Sequence, residues 1–215
     1  MDATTRLAVA AVVVLAGCSG LAVTDTPTSG GLPGDTPGTG DAVTPAAGVT
    51  PAGGTAGSSL GAFEPAETVD VTVTRVVDGD TVDVRFPDGT ADTVRLVGID
   101  TPEVHIENDP GEFEGVPDTR AGATCLREAG HDATAYAAAR IEGANVTLAF
   151  DSRTDRRGGY DRLLAYVHVE DSNLNHELVA AGHARVYETD FALRDAFEAS
   201  AAEARAGDRG LWACR

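Results

Sequence analysis

Three short segments carry more acidic and basic residues than the turns they occupy require. They are 76–82 (VVDGDTV), 94–103 (VRLVGIDTPE) and 160–166 (YDRLLAY). Taken singly, the first two are more typical of a hairpin turn and a strand end. Taken together they supply carboxylate oxygens, which bind hard cations, and guanidinium groups, which bind two phosphate oxygens at once. The three segments therefore point to chemistry on a phosphate group beside a metal ion.

The residues around the first two segments predict a three-stranded antiparallel meander. Apolar residues alternate with polar ones in three successive runs, at 69–73, 82–86 and 94–99. Asp78-Gly79 and Asp88-Gly89 separate these runs and are typical of tight turns between strands.

The rest of the chain predicts two more strands and three helices. A long acidic loop over about 102–119 comes first, with six acidic residues from Glu103 to Asp118 inclusive. Hydrophobic spacing then predicts helix 120–142, strands 146–150 and 163–167, and helices 174–181 and 190–206. The resulting order, three strands, helix, two strands and two helices, fits a small five-stranded barrel with helices packed around it.

In this order and at this spacing, the three segments resemble the staphylococcal (micrococcal) nuclease family, also called thermonuclease-like. The resemblance covers about residues 69–212 and includes the closing Gly210-Leu211-Trp212. It implies a mainly β fold with α, a five-stranded OB-type barrel with three packed helices, which agrees with the independent element order. It also implies Ca²⁺-dependent hydrolysis of phosphodiester bonds in DNA, RNA or both, with low sequence specificity.

The resemblance implies a calcium site built from oxygen atoms. Asp80 and Asp100 would supply carboxylate oxygens, and Thr101 would supply its backbone carbonyl. Asp78 would lie beside the ion without binding it directly. An all-oxygen set of this kind suits a hard cation that polarises a phosphoryl oxygen.

The resemblance also implies the catalytic groups. Arg95 and Arg162 would bind the phosphate and stabilise the charge that develops on it. Glu103 would hold or activate the attacking water, and both roles stay open.

Composition limits the possible partners. The chain has 215 residues, 34 Asp and Glu against 16 basic residues that are all Arg, and a net charge of −18. This balance argues against a sequence-reading DNA-binding protein, which relies on a basic surface. It predicts adaptation to molar salt, where charges are screened; an acidic protein from a GC-rich genome is the alternative. Residues 67–215 have a net charge of −14 and so offer no general basic surface. Nucleic acid would therefore be held at the site of Arg95, Arg162 and Ca²⁺, helped by Arg153, Arg156 and Arg157.

The N-terminal region predicts export. An apolar run follows Arg6 and ends in Leu15-Ala16-Gly17-Cys18, so 1–18 is typical of a lipoprotein signal peptide in which Cys18 is lipidated. An ordinary signal peptide with an incidental Cys is the alternative. Residues 19–66, with six of the ten prolines, predict a disordered tether before a nuclease-like domain at 67–215. We expect a monomer anchored at the cell surface through its lipid.

Three cysteines are an odd number for an exported protein. If Cys18 carries lipid, Cys125 and Cys214 remain and an oxidising exterior favours a disulfide between them, with two buried free thiols as the alternative. Asn145 begins a glycosylation sequon, Asn-Val-Thr, at the start of a predicted strand.

The alternative to a nuclease is a non-catalytic OB-fold module that binds nucleic acid or Ca²⁺ at the cell surface.

Overall fold

The structure is a computed structural model that describes residues 63–215. The predicted signal peptide with Cys18, and the predicted tether up to residue 62, lie outside these residues. Contacts with the barrel begin at the first described residue, because the Phe63 ring packs edge-on against Tyr166 and the Ala66 N–H donates to the Phe150 carbonyl. Within 63–215 no helix combines the length and the apolar character needed to cross a membrane.

Eight strands and three helices form the described part of the chain. In chain order they are β1 (Glu67–Asp78), β2 (Thr81–Arg85), β3 (Ala91–Leu96), β4 (Ile99–Asp100), α1 (Arg120–Ile141), β5 (Asn145–Phe150), β6 (Leu163–Val169), β7 (Ser172–Asn173), α2 (Leu174–Ala180), β8 (Arg185–Val186) and α3 (Arg194–Ala206). Short 3-10 turns occur at Pro110–Glu112, Gly159–Asp161 and Gly210–Cys214.

Five of the strands close into a barrel. β1, β2 and β3 form the predicted antiparallel meander, β5 pairs with the other edge of β1, and β6 pairs with β5. A parallel pairing of β3 with β6, with Val94 opposite Leu163, closes the ring. Val73, Val82 and Val84 are fully buried, so the alternation seen in the sequence fills the barrel interior. The prediction of a five-stranded OB-type barrel with three helices is confirmed.

The third predicted strand is interrupted, which corrects its expected extent of 94–99. β3 ends at Leu96, and Ile99 belongs to β4, which pairs with the distant β8. Gly98 makes the break possible because its φ is +79° and a Cβ there would lie 2.7 Å from the Phe191 ring. The break turns the chain away from the barrel wall just before Asp100.

The last helix begins at Arg194 rather than at the predicted residue 190. Phe191 is fully buried, and the Ala192 N–H donates to the Asp151 carboxylate at 2.6 Å. Because this hydrogen bond and the buried ring hold the backbone in an irregular conformation, the helical spacing in the sequence starts before the helix does. Helices α1 and α2 lie within one residue of their predicted bounds.

Helix α1 is joined to the C-terminal turn by a disulfide. Cys125 pairs with Cys214 at a Cα–Cα distance of 5.7 Å across 89 residues of sequence. Leu126, Leu211 and Trp212 form a second buried cluster beneath the bond. This is the disulfide that the number of cysteines favoured over two buried free thiols.

The sequon asparagine lies at the start of β5. Asn145 is exposed, and its Oδ1 accepts a hydrogen bond from the Thr72 hydroxyl at 2.8 Å.

Candidate active site

A cleft with a volume of about 520 Å³ opens at one end of the barrel. Its lining includes five of the seven residues to which the resemblance assigned roles, namely Arg95, Asp100, Thr101, Glu103 and Arg162. The remaining two, Asp78 and Asp80, lie directly behind this wall and are connected to it by the hydrogen bonds described below. The barrel therefore brings together residues that are up to 84 positions apart in the sequence.

The hairpin between β1 and β2 carries the first two carboxylates. Asp78 ends β1 and Asp80 occupies the two-residue turn, where the Asp80 N–H donates to the Asp78 Oδ1 at 3.2 Å. Gly79 separates them, and a Cβ on it would lie 2.8 Å from both the Ala133 Cβ and the Thr101 Cγ2. Only glycine lets this turn pack so closely against α1 and the segment that follows β4.

Asp80 is the buried anchor of the site, with 1% of its surface exposed. Its Oδ2 accepts hydrogen bonds from the Thr101 backbone N–H at 2.8 Å and from the Thr101 hydroxyl at 3.1 Å. Its Oδ1 accepts from the Thr81 hydroxyl at 3.1 Å and pairs with the Arg95 guanidinium. Burial of this charge is therefore compensated on both oxygens.

Arg95 bridges the two carboxylates predicted to bind metal. From β3 it contacts Asp80 with one terminal nitrogen and the Asp100 Oδ1 with the other, the latter at 2.6 Å. Because a single guanidinium spans both groups, Asp80 and Asp100 lie within reach of one ion. The Thr101 backbone is fixed beside them by its hydrogen bond to Asp80.

A further arginine at the site was not predicted. Arg185 lies on β8 opposite Asp100 on β4, and its Nε donates to the Asp100 Oδ2 at 2.9 Å. Its NH2 group is also 3.5 Å from the Glu112 carboxylate. The only signal for it in the sequence is a charged residue between the apolar Ala184 and Val186, which is a weak one.

The electrostatics of the cleft favour a cation. Burial raises the pKa of the Asp78 carboxyl above its ordinary value, although a hydrogen bond with the Thr81 hydroxyl acts in the opposite direction. Burial also raises the pKa of Glu103, and the negative charges of Asp78 and Asp100 raise it further. Glu103 thus lies close enough to Asp78 and Asp100 to be repelled by them, although the positive charges of Arg95 and His105 act in the opposite direction. A cation bound here would relieve the repulsion further.

The donor set is chemically suited to Ca²⁺, since it consists of two carboxylates and a backbone carbonyl. Within residues 63–215 no group of three or more His, Cys, Asp or Glu side chains is arranged to hold a metal ion. Asp80, Asp100 and the Thr101 carbonyl would therefore need water or substrate oxygens to complete a shell. The Asp80 and Asp100 oxygens are the same ones that Arg95 contacts.

Arg162 differs from the other two arginines of the cleft. It follows the turn Gly159–Asp161, in which Tyr160 has a φ of +62°. Its NH1 donates to the Thr81 hydroxyl at 3.3 Å, and its buried Nε has no hydrogen-bond partner within the described residues. Arg95 and Arg185 are ion-paired, whereas Arg162 forms no salt bridge with any carboxylate of residues 63–215. Its guanidinium is the one available to an anionic ligand.

The three arginines outside the cleft that were expected to help hold nucleic acid are each already paired with a carboxylate. Arg153 lies 3.6 Å from Asp190, and Arg156 and Arg157 each lie 2.5 Å from a carboxylate, on Glu67 and Asp92 respectively. Their charges are thus partly neutralised within the protein itself.

Apolar side chains surround the charged centre. The large hydrophobic residues of 63–215 that are exposed are Tyr160 (94%), Ile106 (61%) and Tyr187 (48%), and all three line the cleft. Exposed aromatic faces beside guanidinium groups are typical of surfaces on which bases stack.

Comparison with known proteins identifies the domain. Residues 93–214 match the family model described as "Staphylococcal nuclease homologue". The chain is 38% identical over 147 residues to an uncharacterized protein of Methanocaldococcus jannaschii, with 65% of this chain and 70% of the relative covered. It is 36% identical over 149 residues to the SPbeta prophage-derived endonuclease YokF of Bacillus subtilis, with 68% of this chain and 45% of the relative covered. It is 33% identical over 147 residues to the B. subtilis endonuclease YncB, with 67% and 62% covered.

The chain thus spans less than two thirds of the two B. subtilis endonucleases it matches. The matched part contains β3 from residue 93 onward and every element after it, and therefore most of the cleft. The closed barrel, the three helices and the matching family model agree with one another, and the chain belongs to the staphylococcal nuclease homologue family as a protein with a nuclease domain.

Proposed function

We propose that the protein is a Ca²⁺-dependent nuclease that hydrolyses phosphodiester bonds in DNA, RNA or both, with low sequence specificity. The observation that carries the proposal is the guanidinium of Arg162, which forms no salt bridge within residues 63–215, in the same cleft as Asp100 and Glu103 and beside the buried Asp80. A positive group for the phosphate and oxygen donors for a cation are the two requirements of this reaction.

Each side chain then has a distinct role. Arg162 binds two phosphate oxygens through its planar fork and stabilises the charge that develops on them. Arg95 would also bind the phosphate once Ca²⁺ takes over the Asp80 and Asp100 oxygens that its two terminal nitrogens contact. Glu103 holds or activates the attacking water, for which its half-buried carboxylate and raised pKa are suitable. Ca²⁺ held by Asp80, Asp100 and the Thr101 carbonyl would polarise a phosphoryl oxygen.

The surroundings of the cleft support low sequence specificity. Phosphate contacts carry no sequence information, and stacking on Tyr160 or Tyr187 is available to every base. The domain's net charge of −14 offers no broad basic surface that could follow a duplex. Substrate would therefore be held close to the scissile bond.

The experiment is a cleavage assay with supercoiled plasmid and, separately, single-stranded RNA. We expect cleavage with Ca²⁺, none with excess chelator, and cleavage that is slower by about 10²–10⁴-fold but still measurable in Glu103→Gln, with the fold preserved. Full activity in excess chelator would overturn the calcium assignment. Binding of either substrate without cleavage under any condition would instead favour the non-catalytic OB-fold module.

We also propose that the domain is displayed outside the cell on the 19–66 tether, through a lipid on Cys18. The lipobox-like Leu15-Ala16-Gly17-Cys18 and the proline-rich composition support this location. Cys18→Ser should release the nuclease into the medium or stall its processing, as measured by cell fractionation. A Cys18→Ser protein that stays in the membrane fraction with its signal peptide removed would refute the lipid anchor.

A further inference from the structure

The loop that carries Glu103 is held by an asparagine five residues later. The Asn108 Oδ1 accepts a hydrogen bond from the Glu103 N–H at 2.7 Å, and its Nδ2 donates to the Glu103 carbonyl at 2.8 Å. Asn108 is 6% exposed. One buried amide therefore binds both backbone groups of Glu103, as a neighbouring strand would.

Helix α1 holds the same loop from the other side. Arg127 donates from its two terminal nitrogens to the Val104 carbonyl at 2.9 Å and the Ile106 carbonyl at 2.8 Å. One turn further along α1, a Cβ on Gly130 would lie 2.4 Å from the Pro102 carbonyl oxygen, so the helix touches the loop directly. The loop around Glu103 is thus fixed against a rigid element although it has no regular secondary structure there.

Glu103 needs such support because of its surroundings. Residues 101–109 form no strand or helix, and the Asp78 and Asp100 carboxylates lie near enough to repel Glu103. An unrestrained loop would relax by moving Glu103 towards solvent. Hydrogen bonds to both of its backbone groups oppose that movement without occupying its carboxylate.

We propose that Asn108, supported by Arg127, is a positioning residue that holds Glu103 in its catalytic orientation by binding its backbone. The inference rests on the proposed nuclease function, because it assigns Asn108 a role in the reaction through Glu103. Asn108 touches neither the phosphate-binding arginines nor the candidate calcium ligands through any hydrogen bond of the structure. Its loss should therefore act on turnover and leave substrate binding largely intact.

The first test is a double-mutant cycle in the Ca²⁺ cleavage assay. Asn108→Ala should lower kcat by about 10–100-fold, the size typical of a small displacement of a catalytic group, with KM within about twofold of the wild-type value. In a Glu103→Gln background the same change should cost less than about twofold, because no catalytic carboxylate is left to misplace. Asn108→Asp, which keeps the acceptor for the Glu103 N–H, should retain intermediate activity.

The matched control is Asn173→Ala. Asn173 is also a buried asparagine that caps a backbone N–H, that of His176 at the start of α2, but it lies away from the cleft. We expect it to lower stability and leave kcat near the wild-type value. A drop in kcat equal to that of Asn108→Ala would show that Asn108 acts only through global stability.

Amide hydrogen exchange provides a measurement independent of activity. Peptides covering 102–108 should exchange faster in Asn108→Ala than in the wild type, whereas those covering β5 should not change. Unchanged exchange, an unchanged kcat, or an equal loss in the Glu103→Gln background would each overturn the inference. A wild-type protein without cleavage activity would instead refute the proposed function, so the two failures are distinguishable.

Discussion

The Arg162→Lys substitution tests whether the positive charge of Arg162 is sufficient or whether the geometry of its guanidinium is also needed. Lysine keeps the positive charge but loses the planar fork that binds two phosphate oxygens. Removal of one preorganised donor at the site of developing charge typically costs about 10²–10³-fold in kcat, or about 2.7–4 kcal/mol of transition-state stabilisation. The fold should lose less than about 1.5 kcal/mol, because Arg162 makes a single long hydrogen bond, to Thr81, and no ion pair within residues 63–215. Activity should therefore fall far more than stability.

The assay combines steady-state kinetics on plasmid DNA with urea unfolding. Arg85→Lys is the matched control, because Arg85 is exposed and its guanidinium donates to the Gly89 carbonyl on the far hairpin. We expect the control to keep wild-type kcat within about twofold, as surface substitutions generally have small effects. A wild-type rate for Arg162→Lys, with the fold intact by circular dichroism, would show that Arg162 is not the phosphate-binding group.

Three further outcomes follow from other parts of the structure. Arg185→Ala should lower the free energy of unfolding by about 1–3 kcal/mol, because it removes one of the ion-pair partners of the half-buried Asp100. Arg194→Ala, which removes an exposed ion pair within a helix, should cost under about 0.5 kcal/mol. Urea denaturation measures both. Burial lowers the pKa of His176 below its ordinary value, so the unfolded chain takes up a proton first as the pH falls through about 6.5, and stability should decline as the pH falls below that value. His176→Gln should show a smaller decline, and an identical pH dependence would refute the role of this histidine. The domain's net charge of −14 predicts a higher melting temperature at ~3 M salt than at ~0.1 M, and equal values would contradict adaptation to high salt.

The barrel could be predicted from the sequence because local patterns determine most of it. Alternation of apolar residues within β1 to β3, with glycine turns between them, specifies which face of each strand is buried and how neighbouring strands pair. The position of Asp80 follows from the turn between β1 and β2, whereas Asp100 lies on the unpredicted β4 and Glu103 in the loop beyond it. Their convergence in one cleft is a property of the closed barrel, which the element order already indicated.

Other features depend on contacts between distant residues and leave little trace in the sequence. Arg185 meets Asp100 only because the two-residue strands β4 and β8 pair across 85 positions. Nothing in the sequence distinguishes Asn108 from the other polar residues of the acidic loop. Its role is visible only from its burial and its two hydrogen bonds to Glu103. The start of α3 depends on Phe191 filling the core beside Gly98, which helical periodicity does not report.

The Cys125–Cys214 bond also determines what happens if the chain is cut. A break in the exposed segment 152–161 falls between the two cysteines, so the halves carrying Glu103 and Arg162 would stay covalently attached, and they would separate in an electrophoresis gel only after reduction. A break in the acidic loop between Glu103 and α1 falls outside the bond and would leave the two pieces held only by packing and by the strand pairings of the barrel. Under the proposed display outside the cell, where proteases are present, the disulfide would make one of the two loops beside the cleft tolerant of cleavage and leave the other vulnerable.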